Sequence, residues 1–364
     1  MQDAEAAEED AGSAQATDLP WPGGAPLFAS GTDALAALLR WGAGHRGWSR
    51  VWLPSYYCPE VPAALRAFPA GVEVLAYPDH ELWAAPDPRG VPAVEGDVVV
   101  VANQLGVRRR PVVDRFARRG AALVEDHSHD LGSDWAWSSV ADYAFASLRK
   151  TLPIPDGGVV WSPRGLDLPP EPMTPGGGPA ARRLAVAIDR RHRLGGAAAD
   201  ERLRLRALAR VAATATGKPA TAVAPSPPGS PQRAGISPVS RALVAQMPLR
   251  AWRERRRANI ELLADAVGTP AHARILPAPQ GGVAFALTLV FDTELASARA
   301  QDALRARAVV PTVLWPLDPA LDPGASDADA DLSRRILSIH ADQRFDESDM
   351  LVLGAIAWEA LRSV

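Results

Sequence analysis

Hydrophobic and polar positions along the chain follow two periods that alternate through its first half. In "PLFASGTDALAALLRWGAG", Leu35, Leu38 and Leu39 recur at helical spacing, and Ser30 or Thr32 stands where an N-cap belongs. Gly42 and Gly44 are expected to follow that helix's end. "RVWLPSYY" then reads as a short strand, and "CPEVPAALRAFPAG" as a helix whose early prolines suit a first turn. "VEVLAYPD" is the next strand. "GDVVVVANQLG" is a continuous apolar run, the pattern of a strand buried on both faces of a parallel sheet. "PVVDRFARRG" predicts a helix, and "AALVED", "DYAFASL" and "GGVVWSP" predict three more strands. Strand and helix in alternation predict an α/β fold around a mostly parallel sheet.

After Gly165 the pattern changes. A loop is expected over 165–180, then strongly helical sequence from "AARRLAVAIDRRHRL" through "ERLRLRALARVAATA", then a low-complexity segment at 217–236. One long helix is predicted from "PVSRALVAQM" through "RAWRERRRANIELLADAVG". The remainder predicts strands at "GVAFALTLVF", "VVPTVLW" and "ILSIHA", and helices at "ARAQDALRARA" and "SDMLVLGAIAWEALRSV". The organisation expected is a disordered acidic tail over 1–20, a large domain over 21–240 and a smaller α+β domain over 241–364.

Composition narrows the function classes. The 364 residues carry a formal net charge of −3, which lacks the basic footprint of a nucleic-acid binder. The longest apolar run is far short of the ~20 residues that span a bilayer, and the acidic N-terminus lacks the pattern of a signal peptide. No membrane or nucleic-acid partner is expected. The single cysteine, Cys58, rules out an internal disulfide framework and fits a reducing, cytoplasmic setting. Lysine occurs only at Lys150 and Lys218, and arginine supplies every other basic side chain. In such a chain a lysine needed only for charge would be an arginine, so Lys150 is marked for the chemistry of an amine.

Four loops at predicted strand ends carry candidate chemistry, because ligands of open parallel sheets bind at the strands' carboxyl ends. "SGT", Ser30 to Thr32, opens a helix and suits a phosphate or a plain cap. "EDHSHD" offers Glu125, Asp126, His127 and His129 as metal ligands, as a carboxylate pairing a protonated ring nitrogen, or as a capped strand-end turn. Lys150 in "SLRKTLPIPDGG" offers a Schiff-base amine. Tyr56 and Tyr57 offer faces for a planar ligand or simply fill core. The same two uses are open to Trp135, Trp137 and Trp315. A nicotinamide dehydrogenase is disfavoured because no G-x-G-x-x-G turn follows a predicted strand. A phosphate cup, an aromatic, an aspartate and a lysine, each at a strand end, make up the set that pyridoxal 5′-phosphate (PLP) requires.

The pieces "SGTDAL", "LPSYYCPEV", "NQLG", "VEDHSHDLG", "SLRKTLPIPDGGVV", "RRRANIELLADAVG" and "LSRRILSIHADQRFDESDM" resemble, in order, the DegT/DnrJ/EryC1/StrS sugar aminotransferases of the fold-type I PLP enzymes. The resemblance implies a large domain with a seven-stranded, mostly parallel sheet between helices, plus a smaller C-terminal α+β domain. It implies that Lys150 forms the Schiff base and moves the proton, and that Asp126 partners the ring nitrogen. His129 would contact the ring, Gly31, Thr32 and Ser147 the phosphate, and Tyr56 or Tyr57 the ring's face. Asn103 and Gln104 would face substrate. It further implies a homodimer with shared sites, the segment around Ser237 and Ser240 standing where relatives reach a neighbour's phosphate. The function implied is amino transfer from an amino-acid donor to a keto or aldehyde acceptor, a nucleotide-linked keto sugar or an intermediate of polysaccharide or specialised-metabolite biosynthesis. Other PLP chemistry on the same scaffold (elimination, racemisation, carbon–carbon bond formation) or non-catalytic PLP binding are the alternatives. No metal is expected.

Overall fold

The structure is a computed structural model that describes residues 19–67, 70–111, 120–176, 234–244 and 246–364. The expected acidic tail as far as residue 18, the helix within 112–119, the helical sequence after 180 and most of the low-complexity segment, Lys218 included, lie outside the described residues.

Seven strands form the larger sheet: β1 (Leu27–Phe28), β2 (Arg50–Pro54), β3 (Glu73–Tyr77), β4 (Asp97–Ala102), β5 (Ala122–Asp126), β6 (Tyr143–Ser147) and β7 (Gly158–Trp161). Their order is β1-β7-β6-β5-β4-β2-β3. The block from β3 to β6 is parallel, while β7 pairs antiparallel with both β6 and the edge strand β1. The architecture is thus α/β with a mostly parallel seven-stranded sheet. β4 is buried at all six positions, as its run of valines requires of an inner strand covered on both faces.

Helix α1 (Gly31–His45) is capped by the Ser30 hydroxyl, which accepts from Asp33 N, and its buried face of Leu35, Leu38 and Leu39 packs on β6 and β7. The helix does not stop at Gly42 but continues through Gly44. Gly42 lies under the Trp48 ring, in space that a Cβ would occupy, so this glycine serves close packing and not termination. Helix α2 (Glu60–Ala67) joins β2 to β3, and the short helices α3 (Asp134–Trp137) and α4 (Leu148–Thr151) follow β5 and β6. The strands "RVWLP", "EVLAY", "DVVVVA", "ALVED", "YAFAS" and "GVVW" fall inside the stretches that the pattern predicts.

The C-terminal part departs further from expectation. The one long helix is two, α5 (Pro238–Val244) and α6 (Leu249–Val267), with Pro248 between them as N-cap of the second. Proline disfavours helical backbone in the residue before it, which breaks the run. A three-stranded antiparallel sheet has the order β10-β9-β8, from β8 (Ala273–Leu276), β9 (Leu287–Phe291) and β10 (Ile336–Ile339). "VVPTVLW" contributes only a single bridge, Thr312 to Ser338, where a strand was expected. Pro311 lacks an N–H for a ladder, and Pro316 follows closely. Helices α7 (Glu294–Arg305), α8 (Asp327–Arg335) and α9 (Glu347–Leu361) complete this part, with α6 and α9 packed together. Its core joins Leu263, Leu289, Phe291, Leu337, Ile339 and Met350. Among the described residues, no helix is long and apolar enough to cross a membrane.

Candidate active site

The sheet positions the site by ending parallel strands side by side. β5 ends in Asp126, and the neighbouring β6 ends in Ser147, which leads directly into α4 and Lys150. The two strand ends are tied by the Ser128 hydroxyl, which accepts from Ser147 N at 2.9 Å.

Asp126 is 9% exposed and its two carboxylate oxygens are separately engaged. Ser128 N donates to Oδ1 at 2.8 Å, and the Tyr57 hydroxyl donates to Oδ2 at 2.6 Å. Burial and the adjacent Asp126 charge hold the Tyr57 phenol well above its ordinary range, so it stays a donor.

Lys150 Nζ lies 2.8 Å from His129 Nε2 and 5.3 Å from the centre of the Trp315 ring. Burial lowers its pKa below the ordinary lysine value, with the negative charge of Asp126 acting in the opposite direction. His129 is 4% exposed, and burial together with the charges of Lys150 and Arg256 pushes it well below the ordinary histidine value. It is therefore neutral, and its Nε2 accepts from Lys150. The imidazole stacks on Phe285, with ring centres 4.3 Å apart, and on Trp315 at 5.6 Å. Its Nδ1 is buried without a hydrogen-bond partner among the described residues. Phe285 and Trp315 belong to the part that carries the second sheet, so this stack joins the two sheets across the site. Cys58, half-buried, acts electrostatically on Lys150, and burial raises its own thiol pKa.

Gly31, Thr32 and Ser147 converge at the start of α1. A Cβ on Gly31 would stand 2.8 Å from the Ser147 Cβ, closer than such atoms pack, so only glycine lets the helix end meet the β6 end here. First-turn N–H groups have no acceptor within their helix, so this junction could hold an anion.

Most of the other expected site residues are committed elsewhere. The Tyr56 side chain is fully buried, and its hydroxyl donates to the Leu314 carbonyl, linking the two sheets. Asn103 spends its whole amide on the scaffold: Nδ2 donates to Arg108 O and Asp130 Oδ2, and Oδ1 accepts from Arg108 N. Gln104 is 5% exposed with Nε2 unpartnered among the described residues. The Ser237 and Ser240 hydroxyls both donate to Asp156 of their own chain and are fully buried, so this chain's geometry gives them an intramolecular task.

Behind the site lies a charged cluster. His127 sits between two carboxylates, Nδ1 at 2.8 Å from Asp130 Oδ1 and Nε2 at 3.1 Å from Glu125 Oε2. Burial alone would lower its pKa, but the two carboxylates overcome this and raise it to about 10. His127 thus takes a scaffold role, while His129, two residues on, faces Lys150. The patterning alone left both histidines open to either part. Phe285, Arg256 and His340 also surround the site without having stood out in the sequence, because nothing local marks a core-like phenylalanine or one arginine among many.

The geometry fits PLP as judged from these residues: an anion cradle that excludes a Cβ, a buried carboxylate with lone pairs to spare, a lysine of lowered pKa, and a buried, unpartnered imidazole nitrogen beside it. No family model matches the chain, and no curated protein matches it. Solved structures do, and those compared are sugar aminotransferases and related members of the DegT/DnrJ/EryC1/StrS group, whose fold this chain has. One is PseC of Helicobacter pylori, an aminotransferase involved in the biosynthesis of pseudoaminic acid, with TM-score 0.63 and 11% identity over 93% of this chain and 86% of that one. DesV of S. venezuelae, solved with a ketimine intermediate, gives 0.59 and 17% over 93% and 85%. A DegT DnrJ EryC1 StrS aminotransferase from Brucella abortus gives 0.58 and 14% over 92% and 85%.

Proposed function

We propose that the chain is a PLP-dependent aminotransferase of the DegT/DnrJ/EryC1/StrS group, moving an amino group from an amino-acid donor to a keto or aldehyde carbon of a sugar-like acceptor. The observation that carries this reading is the pairing of Lys150 and Asp126 at adjacent strand ends, with the Gly31–Ser147 cradle beside them. Gly31, Thr32 and Ser147 would hold the phosphate, Asp126 the ring nitrogen and Lys150 the aldehyde carbon. When bound, PLP supplies that aldehyde together with a ring able to accept electrons.

The chain's own residues account for the rest. Burial increases the share of Lys150 present as free amine, the form that attacks a carbonyl and accepts a proton. Neutral His129 takes a hydrogen bond from that amine and so fixes its direction. Asp126, oriented through both oxygens, keeps its negative charge aimed at one point. The Phe285–His129–Trp315 stack closes one wall of the site and keeps water from it. A homodimer and a cytoplasmic setting belong to the same proposal. Support for it comes from the fold shared with enzymes of this class and from the fit of the residues.

The test is a half-reaction. Protein loaded with PLP and given glutamate or glutamine, as a panel of donors, converts its cofactor to the amine form and releases one equivalent of the matching keto acid. Loaded protein that leaves every amino-acid donor unchanged would refute amino transfer.

A further inference from the structure

Tyr57 stands in the sequence as a candidate to cover a ring, yet its hydroxyl is spent on Asp126. The contact is 2.6 Å, the length of a charge-assisted O–H···O⁻ bond, between two side chains at most 9% exposed. The buried ion pairs of the described residues, Arg108 with Asp79 and Glu81 and His127 with Glu125 and Asp130, leave Asp126 out. A buried carboxylate outside an ion pair relies on hydrogen bonds for its stabilisation. Ser128 N holds Oδ1, so Tyr57 is the side chain that holds Oδ2. The phenol ring itself packs in the core with Leu53, Val100 and Phe145, which fixes the position from which the hydroxyl donates.

We propose that Tyr57 is a positioning residue of the site: its hydroxyl holds the Asp126 carboxylate aligned, and thereby sets how strongly Asp126 engages the ring nitrogen of PLP. This rests on the proposed function. The bond leaves one lone pair free on each oxygen, enough for a partner in the ring plane. Because the donor is neutral, it steadies the charge without cancelling it, as an arginine at the same place would.

The test is a double-mutant cycle on the affinity of the full-length protein for PLP, measured by equilibrium dialysis. Tyr57→Phe removes one oxygen and keeps the ring in the core. It is expected to weaken PLP binding roughly 10- to 100-fold, the worth of a hydrogen bond to a charged group. In an Asp126→Asn background the same change is expected to cost less than about twofold, because the charge it serves is gone. The ring nitrogen of 15N-labelled PLP is expected to resonate at a different frequency in Tyr57→Phe than in the wild type. Equal weakening in both backgrounds, or an unchanged affinity and resonance, would overturn the proposal. If Tyr57→Phe does not fold, a fluorinated tyrosine at 57 keeps every native contact and strengthens the donor. The 15N resonance must then move, and a stationary one overturns the proposal equally. A wild-type protein that takes up no PLP would instead defeat the proposed function itself, so the two failures are distinguishable.

Discussion

Replacing His127 with leucine removes a cation held between two carboxylates, all three side chains being at most 1% exposed. Leucine has similar bulk, so the packing against Trp135 and Trp161 loses little volume. Glu125 would keep Ser139 as a side-chain donor, and Asp130 would keep Asn103 and Ser133. Removing one partner of a buried charge pair costs about 3–5 kcal/mol, because the remaining charges stay out of water. At ~2.1 cal/mol/K of unfolding entropy per residue, a loss of that size in a chain of this length lowers the melting temperature by roughly 4–7 °C. The sign of the pH dependence follows from the His127 pKa, raised from 6.5 to about 10. The stability it contributes is fully present below pH 6.5 and is lost as pH rises through about 10. Urea unfolding followed by tryptophan fluorescence should therefore show the two proteins furthest apart below about pH 6.5, with the gap narrowing as pH rises through about 10. The same loop carries Asp126 and His129, so the variant should also bind PLP more weakly. A His127→Leu protein within about 1 kcal/mol of wild type at pH 7, or a gap that is the same at pH 7 and pH 10, would refute the reasoning.

Two other perturbations probe the cradle and the amine. Gly31→Ala sets a methyl carbon 2.8 Å from the Ser147 Cβ, and overpacking of this kind costs about 1–3 kcal/mol. PLP affinity should fall roughly 5- to 150-fold, and binding as tight as wild type in dialysis would contradict the cradle. The rate at which the apoprotein captures PLP should rise with pH about a midpoint below the ordinary lysine value of about 10.4, since burial depresses Lys150. Stopped-flow absorbance reads it, and a midpoint at or above that value would show an amine in open water.

Six of the large sheet's seven strands were legible as short apolar runs bounded by turns, while the two-residue β1, just ahead of α1, left no pattern to read. "DVVVVA" needs no knowledge of its neighbours to be read as an inner strand. Lys150 was legible through composition, standing alone in an arginine-using chain. The less legible features depend on tertiary contacts. Gly42 reads as a helix stop until Trp48 is seen lying on it. "VVPTVLW" has strand-like residues, but Pro311, the Pro316 that follows it and the Tyr56 hydroxyl on Leu314 turn it into a link between the sheets. β8 is four residues long and partly exposed, too short for a pattern. In the site, the sequence could offer Tyr57 only as an aromatic, because which atom of a tyrosine matters is decided by what its hydroxyl reaches. The same holds for His127 and His129, two residues apart in one motif yet facing a carboxylate pair and an amine.

The central claim is that Lys150 is the amine that takes the cofactor. Protein loaded with PLP, reduced with borohydride, digested and mapped by mass spectrometry tests it most directly. The account predicts one pyridoxyl group per chain, on the peptide containing Lys150, and none in a Lys150→Arg variant, since a guanidinium stays protonated. A reduced adduct at Lys218 or the N-terminus in place of Lys150, or an undiminished yield in the variant, would contradict it.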